Sequence, residues 1–231
     1  MKAIVLAGGK GERLRPFTNE CPKGMVQIEG KPILEYQIEW LKKYGVKEVV
    51  FACGYLHEKI KEYFNDGKKL GIKCHYSIED EPLGRGGALK KAWHYLVDDG
   101  EPVIATNGDI YTELDLSEMV NFHKSKKNIL VTMCLIPYKS PYGVIRVSDD
   151  DLITGFDEKR KLPYWINGGV YVFNYDAVNH LPEKGDHETL TFPKLAEKKL
   201  LMGYKSNAYW RSIETVKDLN EVARERASVK A

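Results

Sequence analysis

The chain has 231 residues, 43% of them apolar and 29% charged, with 35 Lys/Arg against 33 Asp/Glu for a net charge of +2. That length supports one large α/β domain, residues 1–231, with a well-buried core, and the composition is that of a globular protein. So balanced a charge argues against a broad nucleic-acid or membrane surface, so any anion binding has to be local.

Residues 2–7 (KAIVLA) are apolar and bounded by glycine, which predicts a short buried strand. The strand runs into Gly8-Gly9-Lys10-Gly11-Glu12-Arg13. Three glycines in four positions let backbone N–H groups approach phosphate oxygens, and Arg13 adds a planar fork of donors. Lys23, after Pro22, brings a second cation from the far end of the same loop. No helix is expected before about residue 32, so this long polar loop is suited to a polyphosphate. It is not an ATPase phosphate loop, because no Gly-Lys-Ser/Thr follows. Nor is it a dinucleotide fingerprint, because Gly9-x-Gly11-x-x-Leu14 lacks the third glycine.

Met25–Ile28 predicts a short strand and 32–44 a helix, with Ile33, Leu34, Ile38, Trp40 and Leu41 mostly on one face. Lys47–Cys53 reads as a second buried strand, 56–65 as a helix, Ile72–Ser77 as a strand, 86–97 as a helix and Pro102–Thr106 as a strand. The alternation predicts a parallel, doubly wound sheet whose ligands lie at strand carboxyl ends. Beyond Asp109 the pattern loosens. A helix at 116–126 and a strand at Ile129–Leu135 precede hairpin-like strands near 143–147, 152–157 and 169–173. Helices over 188–199 and 215–227 flank a strand near 201–205.

Several stretches could carry chemistry. Glu81-Pro82-Leu83-Gly84-Arg85-Gly86-Gly87-Ala88 turns into a helix, so its exposed backbone could read a base edge and the helix N-terminus could favour an anion. Alone it is equally an ordinary turn. Asn107-Gly108-Asp109 ends a strand with a carboxylate that could hold Mg²⁺, or simply forms an Asx turn. Glu158-Lys159 taken alone is a solvated pair. The six histidines show no zinc spacing. With Met1 leading straight into a predicted strand, no signal peptide is expected, and no apolar run approaches a membrane span. Cys21, Cys53, Cys74 and Cys134 form no CxxC pair, so reduced thiols in a cytoplasmic protein are expected.

The string Leu6-Ala7-Gly8-Gly9-x-Gly11-x-Arg13-Leu14-x-Pro16-x-Thr18, followed by Pro22-Lys23, resembles the signature of sugar-1-phosphate nucleotidylyltransferases. Further motifs follow in family order to about residue 220. The resemblance implies an α/β fold of the nucleotide-diphospho-sugar transferase type. This is a single doubly wound, mostly parallel, Rossmann-like sheet with additional antiparallel strands, and the chain is expected to lack the family's C-terminal β-helix. It also implies that an NTP and a sugar 1-phosphate give an NDP-sugar and pyrophosphate with Mg²⁺, and that Arg13, Lys23 and Asp109 are catalytic. Nucleotide-binding residues would be Leu6, Ala7, Gly8, Gly9, Gly11, Arg13, Glu81, Pro82, Leu83, Gly84 and Gly108. Gly143, Glu158, Lys159, Asn167 and Gly168 would meet the sugar phosphate.

At Trp210-Arg211-Ser212-Ile213-Glu214-Thr215 the usual family pattern is Trp-x-Asp-x-Gly-Thr, and Ser212 stands where the metal-binding Asp would be. Glucose-1-phosphate cytidylyltransferases instead show Trp-x-Pro-Met-Asp-Thr, whose carboxylate slot Glu214 fits, so Asp109 and Glu214 are the expected metal ligands. Glu81-Pro82-Leu83-Gly84 looks like guanylyltransferases for mannose- or heptose-1-phosphate, although Arg85 replaces the usual Thr. GTP is therefore favoured, with CTP or UTP/dTTP enzymes and a non-catalytic NDP-sugar-binding regulator as alternatives. A homodimer is left open, and neither a nucleic acid nor a membrane is expected as a partner.

Overall fold

The computed structural model describes residues 1–158 and 160–230. In chain order the elements begin β1 (Lys2–Ala7), β2 (Gln27–Ile28), β3 (Lys31–Pro32), α1 (Ile33–Lys43), β4 (Glu48–Cys53), α2 (His57–Phe64), β5 (Lys73–Ile78), α3 (Gly84–Trp93) and β6 (Val103–Asn107). They continue β7 (Ile110–Thr112), α4 (Leu116–Lys124), β8 (Val131–Lys139), β9 (Val144–Val147), β10 (Ile153–Asp157) and β11 (Lys161–Phe173). The chain then forms α5 (His187–Leu190), α6 (Phe192–Glu197), β12 (Leu201–Lys205), β13 (Trp210–Ser212) and α7 (Val216–Lys230).

Seven strands form one sheet in the order β12-β8-β11-β6-β1-β4-β5. β1 pairs in parallel with both β4 and β6, β4 with β5, and β8 with β12, while β11 runs antiparallel to its neighbours β6 and β8. The sheet is therefore mostly parallel and doubly wound. After β1 the chain moves outward to β4 and β5, then returns to the other side of β1 as β6. Ligands of such sheets bind at the carboxyl ends of the strands where the order reverses. Here those are the ends of β1 and β6, at Ala7 and Asn107.

Both faces of the sheet are covered, as a parallel sheet requires. Along β1, Ala3, Val5 and Ala7 pack with Leu34, Ile38, Ile60 and Met119, whereas Ile4 packs on the opposite side with Ala88, Leu89, Ala92 and Phe192. A third cluster joins Leu14, Val26, Ile28 and Ile33 to Ile213, Leu219 and Val222. It pins the residue 8–31 loop to α7.

Three expectations change. The loop before residue 32 contains one-turn 3₁₀ helices at Glu12–Leu14, Phe17–Asn19 and Lys23–Met25, rather than no helix. The helix expected over 188–199 is two short ones, broken at Thr191, with Pro193 in the first turn of α6, where its missing N–H costs no bond. The strand expected near 169–173 is only the end of the thirteen-residue β11, whose first half lines up with β8. No described helix is long and apolar enough to cross a membrane.

Candidate active site

The glycine loop owes its course to close packing. Gly11 has φ 63°, and a Cβ there would lie 2.9 Å from the Lys23 Cβ, so only glycine lets the two ends of the loop meet. The Gly11 carbonyl accepts from Leu14 N–H and from the Thr18 hydroxyl, fixing the turn from inside. Across the switch point, Gly108 N–H donates to Leu6 C=O at 2.8 Å, and a Cβ on Gly108 would collide with that same carbonyl.

Asp109 and Glu214 lie far apart in sequence and are joined by backbone pairing. β7, just after Asp109, runs antiparallel to β13, with Ser212 opposite Ile110, and Ile213 N–H donates to Asp109 C=O. The Asp218 carboxylate accepts from Glu214 N–H and Thr215 N–H and from the Thr215 hydroxyl, holding the turn that aims Glu214. The Lys23 ammonium then donates to Asp109 Oδ2 at 2.5 Å and to Glu214 Oε2 at 2.7 Å. Arg13 donates to the same Glu214 oxygen at 2.6 Å, and the Ser212 hydroxyl donates to Oε1 at 3.1 Å.

The two carboxylates are electrostatically unequal. Burial pushes Asp109 above the usual carboxylate range, with Lys23 only partly offsetting it and the charge of Glu214 adding to the rise. Burial also works against ionised Glu214, but Lys23 and Arg13 outweigh it and hold the carboxyl below its ordinary value. Two carboxylate oxygens converging on one cation form a donor set that fits a hard divalent ion. Among the described residues no group of three or more His, Cys, Asp or Glu side chains is placed to hold a metal, at this site or any other. A metal here would rely on phosphate oxygens and water for its remaining positions.

These groups open onto a cleft of about 690 Å³. Of the expected nucleotide-binding residues, Leu6, Ala7, Gly8, Gly9, Gly11, Arg13, Pro82, Gly84 and Gly108 line it, together with Lys23, Asp109 and Glu214. Glu81 is exposed outside the lining, and Leu83 is half-buried behind it. The cleft also takes in Arg85 and Asn107 from the two stretches singled out in sequence, and Glu79, which the sequence reading did not single out. Glu79 follows β5, and its Oε2 accepts from Leu83 N–H at 2.8 Å, orienting the carboxylate toward the cleft.

Of the expected sugar-side residues, the described ones (Gly143, Glu158, Asn167 and Gly168) do not line this cavity. Asn167 and Gly168 lie on β11 beside it. The Asn167 amide accepts from Gly169 N–H and donates to the Tyr171 hydroxyl and to Glu188, while Gly168 C=O accepts from Trp210 Nε1. A Cβ on the next residue, Gly169, would lie 2.7 Å from Asn107 Nδ2, so this strand packs directly against the end of β6. Gly143 and Glu158 flank the base of the β9–β10 ribbon. Lys159 lies outside the described residues.

Residues 2–228 match the family described as Nucleotidyl transferase. A D-glycero-alpha-D-manno-heptose 1-phosphate guanylyltransferase of Aneurinibacillus thermoaerophilus is 38% identical over 230 residues, covering 97% of this chain and 98% of that one. A protein of the same description from Campylobacter jejuni is 42% identical over 180 residues, 78% of each chain. Among solved structures, HddC from Yersinia pseudotuberculosis, complexed with GMP-PN, superposes with a TM-score of 0.75 at 27% identity, covering 97% of this chain and 99% of that chain. The family match begins at the first strand and runs into the last helix, so it takes in every element that builds the cleft, and this chain belongs to the nucleotidyl transferase family.

Proposed function

We propose that the chain joins GTP to a sugar 1-phosphate of the mannose or D-glycero-manno-heptose type, giving a GDP-sugar and pyrophosphate. The observation that carries this reading is the Lys23 ammonium held between Asp109 and Glu214 at the mouth of the glycine loop. It gathers a phosphate-neutralising cation and a carboxylate pair suited to a divalent ion in one cleft. The curated relatives are described as guanylyltransferases of heptose and mannose 1-phosphates.

A sugar-phosphate oxygen would attack the α-phosphorus in line. As that bond forms, the bond from the α-phosphorus to the bridging oxygen breaks, and pyrophosphate leaves with the electron pair. The nucleophile is already anionic, so no side chain has to remove a proton. Catalysis is then positioning and charge neutralisation. Arg13 and the Gly8–Gly11 amides would hold the departing pyrophosphate, and Lys23 would move from the carboxylates onto the α-phosphate. Asp109 and Glu214 would hold Mg²⁺, which when bound supplies positive charge across the triphosphate oxygens.

Glu79 supports the choice of base. A carboxylate accepts two parallel hydrogen bonds, and guanine offers adjacent N1–H and amino donors that neither uracil nor thymine presents. Pyrophosphate release with Mg²⁺, measured for five nucleoside triphosphates against mannose, glucose and heptose 1-phosphates, tests the assignment. GTP with a manno-configured phosphate should be fastest. Preference for CTP would overturn the base, and silence with every pair would overturn the activity.

A further inference from the structure

We infer, on the reading of Asp109 as a metal ligand, that Gln37 is its positioning residue, whose amide sets the turn from which that carboxylate meets a divalent ion. Gln37 stands on the buried face of α1, between Leu34 and Leu41, and is 3% exposed. Its Nε2 donates to Asn107 C=O at 2.7 Å and to Ile110 C=O at 2.8 Å. Those two carbonyls bracket Gly108 and Asp109, one at the end of β6 and the other at the start of β7. Both protons of one amide nitrogen therefore go to the two sides of the turn that carries the carboxylate.

Packing alone does not account for this side chain. Its neighbours on the same helix face, Leu34, Ile38 and Leu41, are aliphatic and fully buried. Leucine or methionine would fill the position with no polar atom to satisfy. Gln37 Oε1, by contrast, is buried and accepts no hydrogen bond from the described residues. An unmet acceptor in a core is unfavourable, yet the amide keeps it and spends its donors on the carbonyls beside Asp109. A core position that breaks the local rule in this way is expected where a site has to be held.

The same helix fixes what surrounds the turn. One turn on from Gln37, Trp40 Nε1 donates to Leu114 C=O at 2.8 Å. On the cation's side, a Cβ on Gly24 would lie 2.6 Å from Leu34 Cγ and 3.1 Å from Gly108 C=O, so the residue after Lys23 is wedged between α1 and the Asp109 turn. Lys23 and Asp109 thus take their positions from one rigid element. Across the turn, Ile213 N–H donates to Asp109 C=O and ties it to the strand that leads to Glu214. Without the Gln37 amide that tie remains, but the turn loses its second anchor and the spacing of the two carboxylates is no longer set from both sides.

Calorimetric titration with GTP, in the absence of sugar phosphate, reads this without turnover. Run with Mg²⁺ and again with EDTA, the ratio of the two dissociation constants measures what the metal site contributes. Mg²⁺ should tighten GTP binding to the unaltered chain. Gln37→Met, close in shape but without donors, should lose about tenfold of that ratio while its constant in EDTA stays within about twofold. Gln37→Asn keeps an amide but draws it back by one methylene, and it should lose the ratio too, whether or not the Met variant folds. Ile38→Ala, a cavity in the same helix, controls for damage to the core: it should lower the urea midpoint and leave the ratio within about twofold. A ratio unchanged in the Gln37 variants, or lowered as much by Ile38→Ala, would overturn the positioning role. Asp109→Ala separates that failure from failure of the reading beneath it, because it should abolish the ratio. A ratio retained in Asp109→Ala, or no GTP binding at all, would overturn the ligand assignment itself and the role of Gln37 with it.

Discussion

At the scale of single residues, the site depends on one ammonium group. Lys23 satisfies two carboxylates that would otherwise be neighbours of like charge in a partly desolvated cleft, an unfavourable arrangement for both to remain ionised. Lys23→Ala and Asp109→Ala should each slow turnover by about a hundredfold or more with the fold intact, measured as pyrophosphate release alongside circular dichroism. Near-normal turnover in either variant would remove that residue from the chemistry. Glu79→Gln separates recognition from reaction: GTP should lose its advantage over other nucleotides by about tenfold or more, chiefly in KM, because the amide presents one acceptor where the carboxylate presented two. Unchanged selectivity would place base reading elsewhere. The glycine loop, Arg13 and Lys23 were legible in sequence because close backbone approach restricts which residues can stand there. Glu79 and Asp218 were not, since a lone acidic residue after a strand or in a first helical turn has no pattern of its own.

Among elements, the least legible feature was how α3 begins. The sequence reading expected the start of this helix to offer its N–H groups to an anion. In the structure Gly86 and Gly87 N–H both donate to Gly185 C=O, at 2.8 and 3.3 Å, while Gly185 N–H donates back to Leu83 C=O. Those donors serve the chain's own loop, which arrives from about a hundred residues downstream. Arg85, standing where the family usually has Thr, completes the clasp: its Nε donates to Asp186, and its two terminal nitrogens donate to the two oxygens of Glu188. Glu188 in turn accepts from Asn167 and Tyr171 on β11, tying the segment at the cleft's edge to the strand beside it. Arg85→Thr should destabilise the fold by about 1 kcal/mol in urea unfolding. Arg85→Lys should recover little of the loss, because a single ammonium cannot bridge both carboxylates as a planar fork does. Full recovery with Lys would show that charge alone matters. The pairing of β7 with β13 was equally hidden, because short antiparallel strands about a hundred residues apart leave no local signature, yet that pairing brings Glu214 to Asp109.

For the whole molecule, the doubly wound half was readable because parallel strands buried on both faces appear as continuous apolar runs between amphipathic helices. The half after Asp109 was harder, since β11 changes role along its length, exposed at Lys161–Trp165 and fully buried from Val170 to Phe173. The buried end of β11 packs against the start of α5 and α6, where His187 is wholly enclosed with its ring edge-on to Tyr171 and Phe192. Burial pushes this imidazole down to about 4, with Arg85 lowering it further and Asp186 pulling the other way. His123, enclosed between Thr132 and Asn174, is also lowered, again mainly by burial. Above the ordinary histidine value of ~6.5 both states of the chain keep His187 neutral, and its contribution is fully present. As pH falls from there toward 4 the unfolded chain takes up a proton that the folded chain resists, so stability is lost through that window, by up to about 3 kcal/mol for His187. Urea unfolding at pH 7, 5.5 and 4.5 should therefore show a steep decline that is shallower in His187→Leu. Any packing defect from the substitution lowers stability at every pH alike, so the slope isolates the proton: an equal slope in the variant would mean that other groups govern the acid limit of this fold.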